Sequence, residues 1–260
     1  AAVGTGVVKD GTAFTTIGTS GVVFAHTSKP AIDPKGRIHT CCCAVPGAWH
    51  MMGVTQAAGL SLKWFKDQFC QDYVKEAEAK GVDVYDQINQ DVASVAPGSD
   101  RLLYLPYLMG ERSPHNNPKA RGMFIGMSMD TTQTQMSQAV LEGVAFAIRD
   151  SFEVAKSQGI EIERTKLCGG GAKSRIWRKI VANVLGIKVD ILKTEEGPGL
   201  GAAMLAAVAC GEYASVKEAA DKIVEVVETI EPEREIVEKY NKQYSKFVQI
   251  YPTVKDLYEL

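Results

Sequence analysis

Two glycine turns carry the residue types that chemistry on a phosphate would need. The first, Gly18-Thr19-Ser20-Gly21, joins two β-branched apolar runs within "TTIGTSGVVFAH", residues 15–26. The second is "GGGAKS", residues 169–174, which follows "TKLC" and opens an amphipathic run. Glycine admits positive φ and leaves no Cβ between a ligand and the chain. Successive N–H groups in such turns form an anion-binding concavity. Thr19 and Ser20 add hydroxyl donors, and the second turn adds the free N–H groups and dipole of a helix start. Neither turn is decisive alone, because Gly-Thr-Ser-Gly also makes a plain hairpin. "GGGAKS" is not a P-loop, which needs glycine directly before the lysine, where Ala172 stands. No Gly-x-Gly-x-x-Gly follows the strand, which argues against a Rossmann site. Two phosphate-type turns about 150 residues apart point to a nucleotide held in a cleft between loops.

The surrounding elements must hold these turns. Residues 12–17 and 21–25 read as strands joined by the first turn, and 49–54 as a third strand. "TQAAGLSLKWFKDQFCQDYVKEAEA", residues 55–79, reads as one amphipathic helix, and residues 80–100 as a polar surface loop. "LLYLPYLMG" is extended, "ERSPHNNPKARG" is a turn-rich loop and "GMFIGMS" is strand-like. A long helix follows, with Thr132 as N-cap and Gly159 as its stop. Then come strand 165–168, helix 175–186, strand 188–192 and a small-residue helix from Gly197, a rhythm that indicates parallel pairing. With the leading hairpin this makes an α/β protein with a mixed sheet flanked by helices. From Ala214 the tail reads as mostly helical, its Tyr240, Tyr244, Phe247 and Tyr251 forming a packing stripe. "AAVGTGVV" at Ala1 reads as the middle of a packed helix or strand, so a fragment is expected.

The bulk numbers exclude some partners. In 260 residues, 45% are apolar and 23% charged, with a formal charge of −2, so neither nucleic acid nor an anionic membrane is indicated. No run approaches the roughly 18 apolar residues of a membrane span, and no secretion signal is visible. Cys41, Cys42 and Cys43 are consecutive; in a strand they alternate faces, which argues against a shared zinc ion and for reduced cytoplasmic thiols.

Residues 122–143, "GMFIGMSMDTTQTQMSQAVLEG", carry the most specific pattern: Gly122, Phe124, Gly126, Met127, a seven-residue spacer, then Gln135, Met136, Ala139, Val140, Leu141 and Glu142. This pattern resembles the second signature of the FGGY carbohydrate kinases, in the actin, hexokinase and Hsp70 superfamily. The resemblance runs from residue 1 to about 250. "YLPYLMGERSPHNNPKARG", "GTSGVVFAH" and "AVPGAWHMMGV" are most similar to the xylulokinase branch.

The resemblance implies a ribonuclease H-like ATPase fold over residues 1–260, the C-terminal half of a sugar kinase, with an inserted loop near 80–100. It implies ATP or ADP with Mg²⁺ as ligand. Gly18, Thr19 and Ser20 would lie at the β- and γ-phosphates, Gly169, Gly170, Gly171 and Ala172 at the adenosine, and Ser174 at the helix start beside it. Gly59 and Lys63 would border the nucleotide. Gly199 and Gly201 would form a hinge helix, for which close helix packing is the equal alternative. Glu111, Arg112 and His115 are expected to form a structural salt-bridged loop.

The resemblance implies that the family's general base, an Asp, would fall before Ala1 and that the N-terminal sugar-binding domain would lie outside this chain, so no catalytic residue is expected in it. The implied reaction is phosphoryl transfer from ATP to a pentulose, D-xylulose foremost; ribulose, gluconate or glycerol stay open, as does a non-catalytic actin-like nucleotide-binding module. An apolar face exposed at the hinge is expected, and with it a possible homodimer.

Overall fold

The computed structural model describes residues 1–194 and 196–259. Strands β1 (Thr12–Ile17) and β2 (Gly21–Thr27) pair antiparallel, with Ile17 opposite Gly21. Side chains alternate across them. Ala13, Ile17, Val23 and Ala25 enter the main core, while Phe14 and Phe24 stack on the other face, 4.9 Å between centroids, in a small cluster with Val7. Strands β3 (His39–Cys42) and β4 (Trp49–Thr55) extend the sheet antiparallel beyond β2. The cysteine-rich β3 lacks an apolar alternation because it is an edge strand, with Cys41 and Cys42 exposed.

The single helix expected over residues 55–79 is two. Helices α1 (Gly59–Phe69) and α2 (Gln71–Lys80) break at Cys70, which leaves helical geometry (φ −118°, ψ 40°). The break redirects the chain so that Tyr73 and Ala77 are buried as well as Leu62 and Phe65. Most of the expected 80–100 loop is also regular. Helix α3 (Val84–Val92) starts on Asp83, whose carboxylate accepts the Tyr85 N–H at 2.7 Å. Val84, Ile88 and Val92 repeat every fourth residue and face the core, a stripe too narrow to lift the segment's polar composition.

Strands β5 (Leu103–Leu105) and β6 (Met123–Ile125) form a separate ribbon. Helix α4 (Gln133–Ser157) opens with a capping box between Thr132 and Gln135 and buries 16 of its residues. It lies against the ribbon so closely that a Cβ on Gly143 would sit 2.2 Å from the Tyr104 carbonyl oxygen.

The parallel rhythm holds for one run. Strand β7 (Arg164–Cys168) pairs parallel with β1 and with β8 (Lys188–Leu192), and helix α5 (Arg175–Leu185) connects them. Helices α6 (Gly197–Ala209) and α7 (Val216–Ile223) follow, then β9 (Val226–Ile230), a strand inside the tail read as helical. It pairs antiparallel with β8, closing the order β3-β4-β2-β1-β7-β8-β9. Val226 and Val227 are exposed on this outer edge, so no buried alternation marked it. Helix α8 (Arg234–Val254) buries Tyr240 and Phe247 against Phe146.

Residues 1–7 form a hydrogen-bonded turn rather than a helix or strand, with Thr5 and Val7 N–H donating to the carbonyls of Ala1 and Ala2. No helix among the described residues is long and apolar enough to cross a membrane.

Candidate functional site

The sheet brings the two glycine turns to one edge of the main core, because β1 and β7 are parallel neighbours and both turns leave their C-terminal ends. In such sheets ligands bind beyond the carboxyl ends of the strands. A cleft of about 600 Å³ opens there, within the size range of small-molecule sites. Of the residues expected to bind nucleotide, Gly18, Thr19, Gly59, Lys63, Gly170, Gly171 and Ser174 line it. Ser20, Gly169 and Ala172 are not among the lining residues: Ser20 and Gly169 are half-buried, and Ala172 is buried with its carbonyl accepting the Arg178 guanidinium. The cleft also takes in Tyr85, Asp86 and Asn89 from α3 and its N-cap Asp83, residues of a segment whose polar composition alone indicates a loop.

The N-terminus of α1 fixes the first turn. Ala58 N–H donates to the Thr19 carbonyl (2.9 Å) and Gly59 N–H to that of Gly18 (2.7 Å). These N–H groups are therefore spent on the hairpin. A Cβ on Gly59 would lie 2.5 Å from Gly18 O, so packing alone requires glycine at that position. Packing also accounts for two glycines of the second turn. Gly169 has φ +84°, and a Cβ on Gly171 would strike Ile17 at 2.4 Å.

Gly18 and Gly170 differ. Neither has a positive φ; a Cβ on Gly18 would find nothing nearer than 3.7 Å, and one on Gly170 nothing within 4 Å. The protein itself does not need these two bare positions, and both border the cleft. Thr19, next to Gly18, is exposed and also lines the cleft. Lys63 holds Asp67 at 2.6 Å, a solvent-exposed pair of the kind that contributes little, so its ammonium can exchange partners. Open backbone, hydroxyl and ammonium together fit a phosphate chain.

The 122–143 pattern is scaffold. Gln135 completes the capping box, and Leu141 O accepts the indole N–H of Trp177, a cleft residue, at 3.1 Å. Glu142 is buried and accepts Gly98 N–H (2.7 Å), Gln138 Nε2 (2.8 Å), Tyr240 OH (2.8 Å) and Ser99 OH (2.8 Å). Burial raises its pKa. It thereby pins Ser99, Asp100 and Arg101, three consecutive non-glycine residues at positive φ.

The expected salt-bridged loop is held differently. Glu111 is 3% exposed, and its Oε1 accepts the N–H groups of Gln56 and Arg112 with no ion pair among the described residues. Burial pushes its pKa up to about 8. Ser113 and Val54 exchange two hydrogen bonds, and His115 stacks on Tyr251 at 3.7 Å. This loop staples β4 to α8 and lies outside the cleft.

Gly199 and Gly201 lie on α6, apart from the cleft. Gly201 packs backbone to backbone, 2.9 Å from a hypothetical Cβ to Gly4 N, whereas Gly199 faces open space. The helix turns Ala202, Ala203, Leu205 and Ala206 to solvent.

This mixed sheet flanked by helices, with glycine turns at its carboxyl edge, is the actin- and hexokinase-like ATPase fold of solved sugar kinases. Residues 13–210 match the FGGY family of carbohydrate kinases, C-terminal domain, and the chain belongs to that family. A xylulose kinase of Staphylococcus epidermidis is 36% identical over 256 residues, 98% of this chain and 50% of the relative. A gluconokinase of Bacillus subtilis is 34% identical over 221 residues, 85% of this chain and 43% of the relative. The solved xylulose kinase from Rhodospirillum rubrum superposes with a TM-score of 0.88 at 28% identity, covering 100% of this chain and 50% of that one. The chain thus spans about half the length of the relatives it matches.

Proposed function

We propose that this chain is the nucleotide-binding half of an ATP-dependent carbohydrate kinase that phosphorylates a pentulose, D-xylulose foremost. The observation that carries the reading is the pair Gly18 and Gly170, two positions on facing turns kept bare where the fold has room for a side chain. In this reading Gly18, Thr19, Ser20 and Lys63 receive the phosphates of MgATP, and Gly170, Gly171 and Ser174 border the adenosine. The nucleotide, when bound, supplies the phosphoryl group; the chain holds it in line and screens its charge, which is most of what such transfer demands. The sugar contacts and the Asp acting as general base belong to the other half of a longer cytoplasmic protein, as the relatives' doubled length supports. Gly199 and Gly201 would then sit on the helix about which the halves rotate.

Titration calorimetry of this chain with MgADP and MgATP tests the first part: binding at a 1:1 ratio is expected, and an absence of heat for both overturns it. Assay of the protein with its complete coding sequence against xylulose, ribulose, gluconate and glycerol tests the second. Gluconate is the second reading, because a gluconokinase is nearly as similar as the xylulose kinases.

A further inference from the structure

We propose that Asn89 on α3 reads the base of the bound nucleotide and makes the cleft selective for adenine over guanine. The inference rests on the nucleotide-binding reading above and adds the residue that sets its specificity.

The cleft is asymmetric. Gly18, Thr19 and Lys63 border one part, and the second glycine turn with α3 borders another. On the second side Lys173 of the turn faces two carboxylates, Asp86 on α3 and Asp83 at its N-cap, and the net negative charge disfavours the phosphate chain there, so the base belongs on this side. Its surroundings suit a flat heterocycle: Ile17 and Trp177, both next to Gly171, are apolar, and Tyr85 and Asn89, four residues apart, share one helix face.

Asn89 is set in place by the adjoining start of α5. Its Oδ1 accepts the Ser174 hydroxyl at 2.9 Å, while the Ser174 oxygen accepts the Trp177 N–H at 3.1 Å. That leaves the Asn89 amide N–H groups with no hydrogen-bond partner among the described residues, and Oδ1 with a second lone pair. A donor beside an acceptor is the complement of adenine N7 and N6, whereas guanine presents two acceptors, N7 and O6, on that edge. One side chain therefore favours adenine without excluding guanine.

The test is titration calorimetry of the chain with MgADP, MgGDP and inorganic tripolyphosphate, with thermal melts as a folding control. The wild-type chain is expected to prefer ADP over GDP by roughly ten- to hundredfold, the range of one bidentate amide–adenine pair. Asn89→Ala should weaken ADP by about that factor, GDP by less, so that the preference narrows, and leave tripolyphosphate unchanged. Asn89→Asp replaces the donor with a second acceptor, which repels N7 of either base and O6 of guanine and keeps only the contact from adenine N6, so ADP and GDP should both bind more weakly than to the wild-type chain. If the wild-type chain binds neither nucleotide, the nucleotide-binding reading itself fails. If it binds both, and Asn89→Ala lowers them equally or changes nothing, the assignment of Asn89 is overturned while that reading stands.

Discussion

The Gly59 N–H donates to the Gly18 carbonyl at 2.7 Å, and the two backbones meet so closely that a Cβ on Gly59 would lie 2.5 Å from that oxygen. Helix α1 therefore sets the height of the first turn. Substituting Gly59→Ala should push the hairpin away from the helix, at a cost of about 1–3 kcal/mol for overpacking. Because the turn itself moves, affinity for MgADP should fall by roughly tenfold or more. Denaturant titration and calorimetry measure the two effects; a variant with unchanged values for both would sever the proposed link.

Gly170 should behave in the opposite way. Nothing in the protein lies within 4 Å of a Cβ there, and its φ is not left-handed. Gly170→Leu should change stability by no more than about 0.5 kcal/mol. The added side chain would fill the cleft, so MgADP binding should drop by well over an order of magnitude. Loss of stability with retained binding would mean that the bare position serves the fold.

The contrast between these glycines shows what the sequence alone reveals. Both turns, their strands and the long helix follow from turn residues and apolar periodicity, because burial of one face imposes that periodicity. Helix α3 escaped because only Val84, Ile88 and Val92 face inward and the rest of the segment is polar. With it went Tyr85, Asp86 and Asn89, which line the cleft. Strands β3 and β9 escaped because edge strands bury too little to alternate. No pattern in one sequence could separate Gly59 and Gly171, required by packing, from Gly18 and Gly170, which are not; that needs the neighbouring atoms.

Glu142 should matter for folding rather than for ligand binding. Its carboxylate takes hydrogen bonds from Gly98, Ser99, Gln138 and Tyr240, all away from the cleft. Glu142→Ala strands these donors in a buried site and releases the positive-φ turn they hold, with a cost of about 3 kcal/mol or more. Glu142→Gln keeps one acceptor oxygen and should cost less. Denaturant midpoints for the two variants give the order; equal values would show that the hydrogen bonds are not what Glu142 contributes.

On α6 the two candidate hinge glycines should separate. Gly201→Ala drives a methyl group to 2.9 Å from Gly4 N and should destabilise by about 1–3 kcal/mol. Gly199→Ala meets only the Glu196 carboxylate at 3.7 Å, and should be neutral or stabilising by up to about 1 kcal/mol through helix propensity. Thermal melts distinguish the two, and matching destabilisation by both would argue against packing as the reason for Gly201.

Two buried carboxyls outside the cleft set a pH dependence of unusual direction. Burial raises Asp150 to about 7, against the stabilising hydrogen bond from Tyr244 OH at 2.6 Å, and raises Glu111 to about 8. For both, the folded state holds its proton more tightly than the unfolded chain, whose carboxyls titrate near about 4. Their stability contribution is thus complete below that pH. It declines as pH rises through the interval to about 7 and 8, by at most about 1.4 kcal/mol per pH unit for each group, and then levels off. Asp33 works in the other direction, held at about 2 by Arg37, so its contribution is present above about pH 4 and is lost on acidification. Burial lowers His115 to about 4 and also lowers His50, so both oppose the pair up to about pH 6.5, while Glu142, raised by burial, adds to it. The melting temperature should therefore fall most clearly between about pH 6.5 and pH 8. In the double variant Asp150→Asn, Glu111→Gln that fall should be reduced, since neither amide titrates. A wild-type melting temperature that rises between about pH 6.5 and pH 8, or a fall unchanged in the double variant, would show that these carboxyls do not govern it.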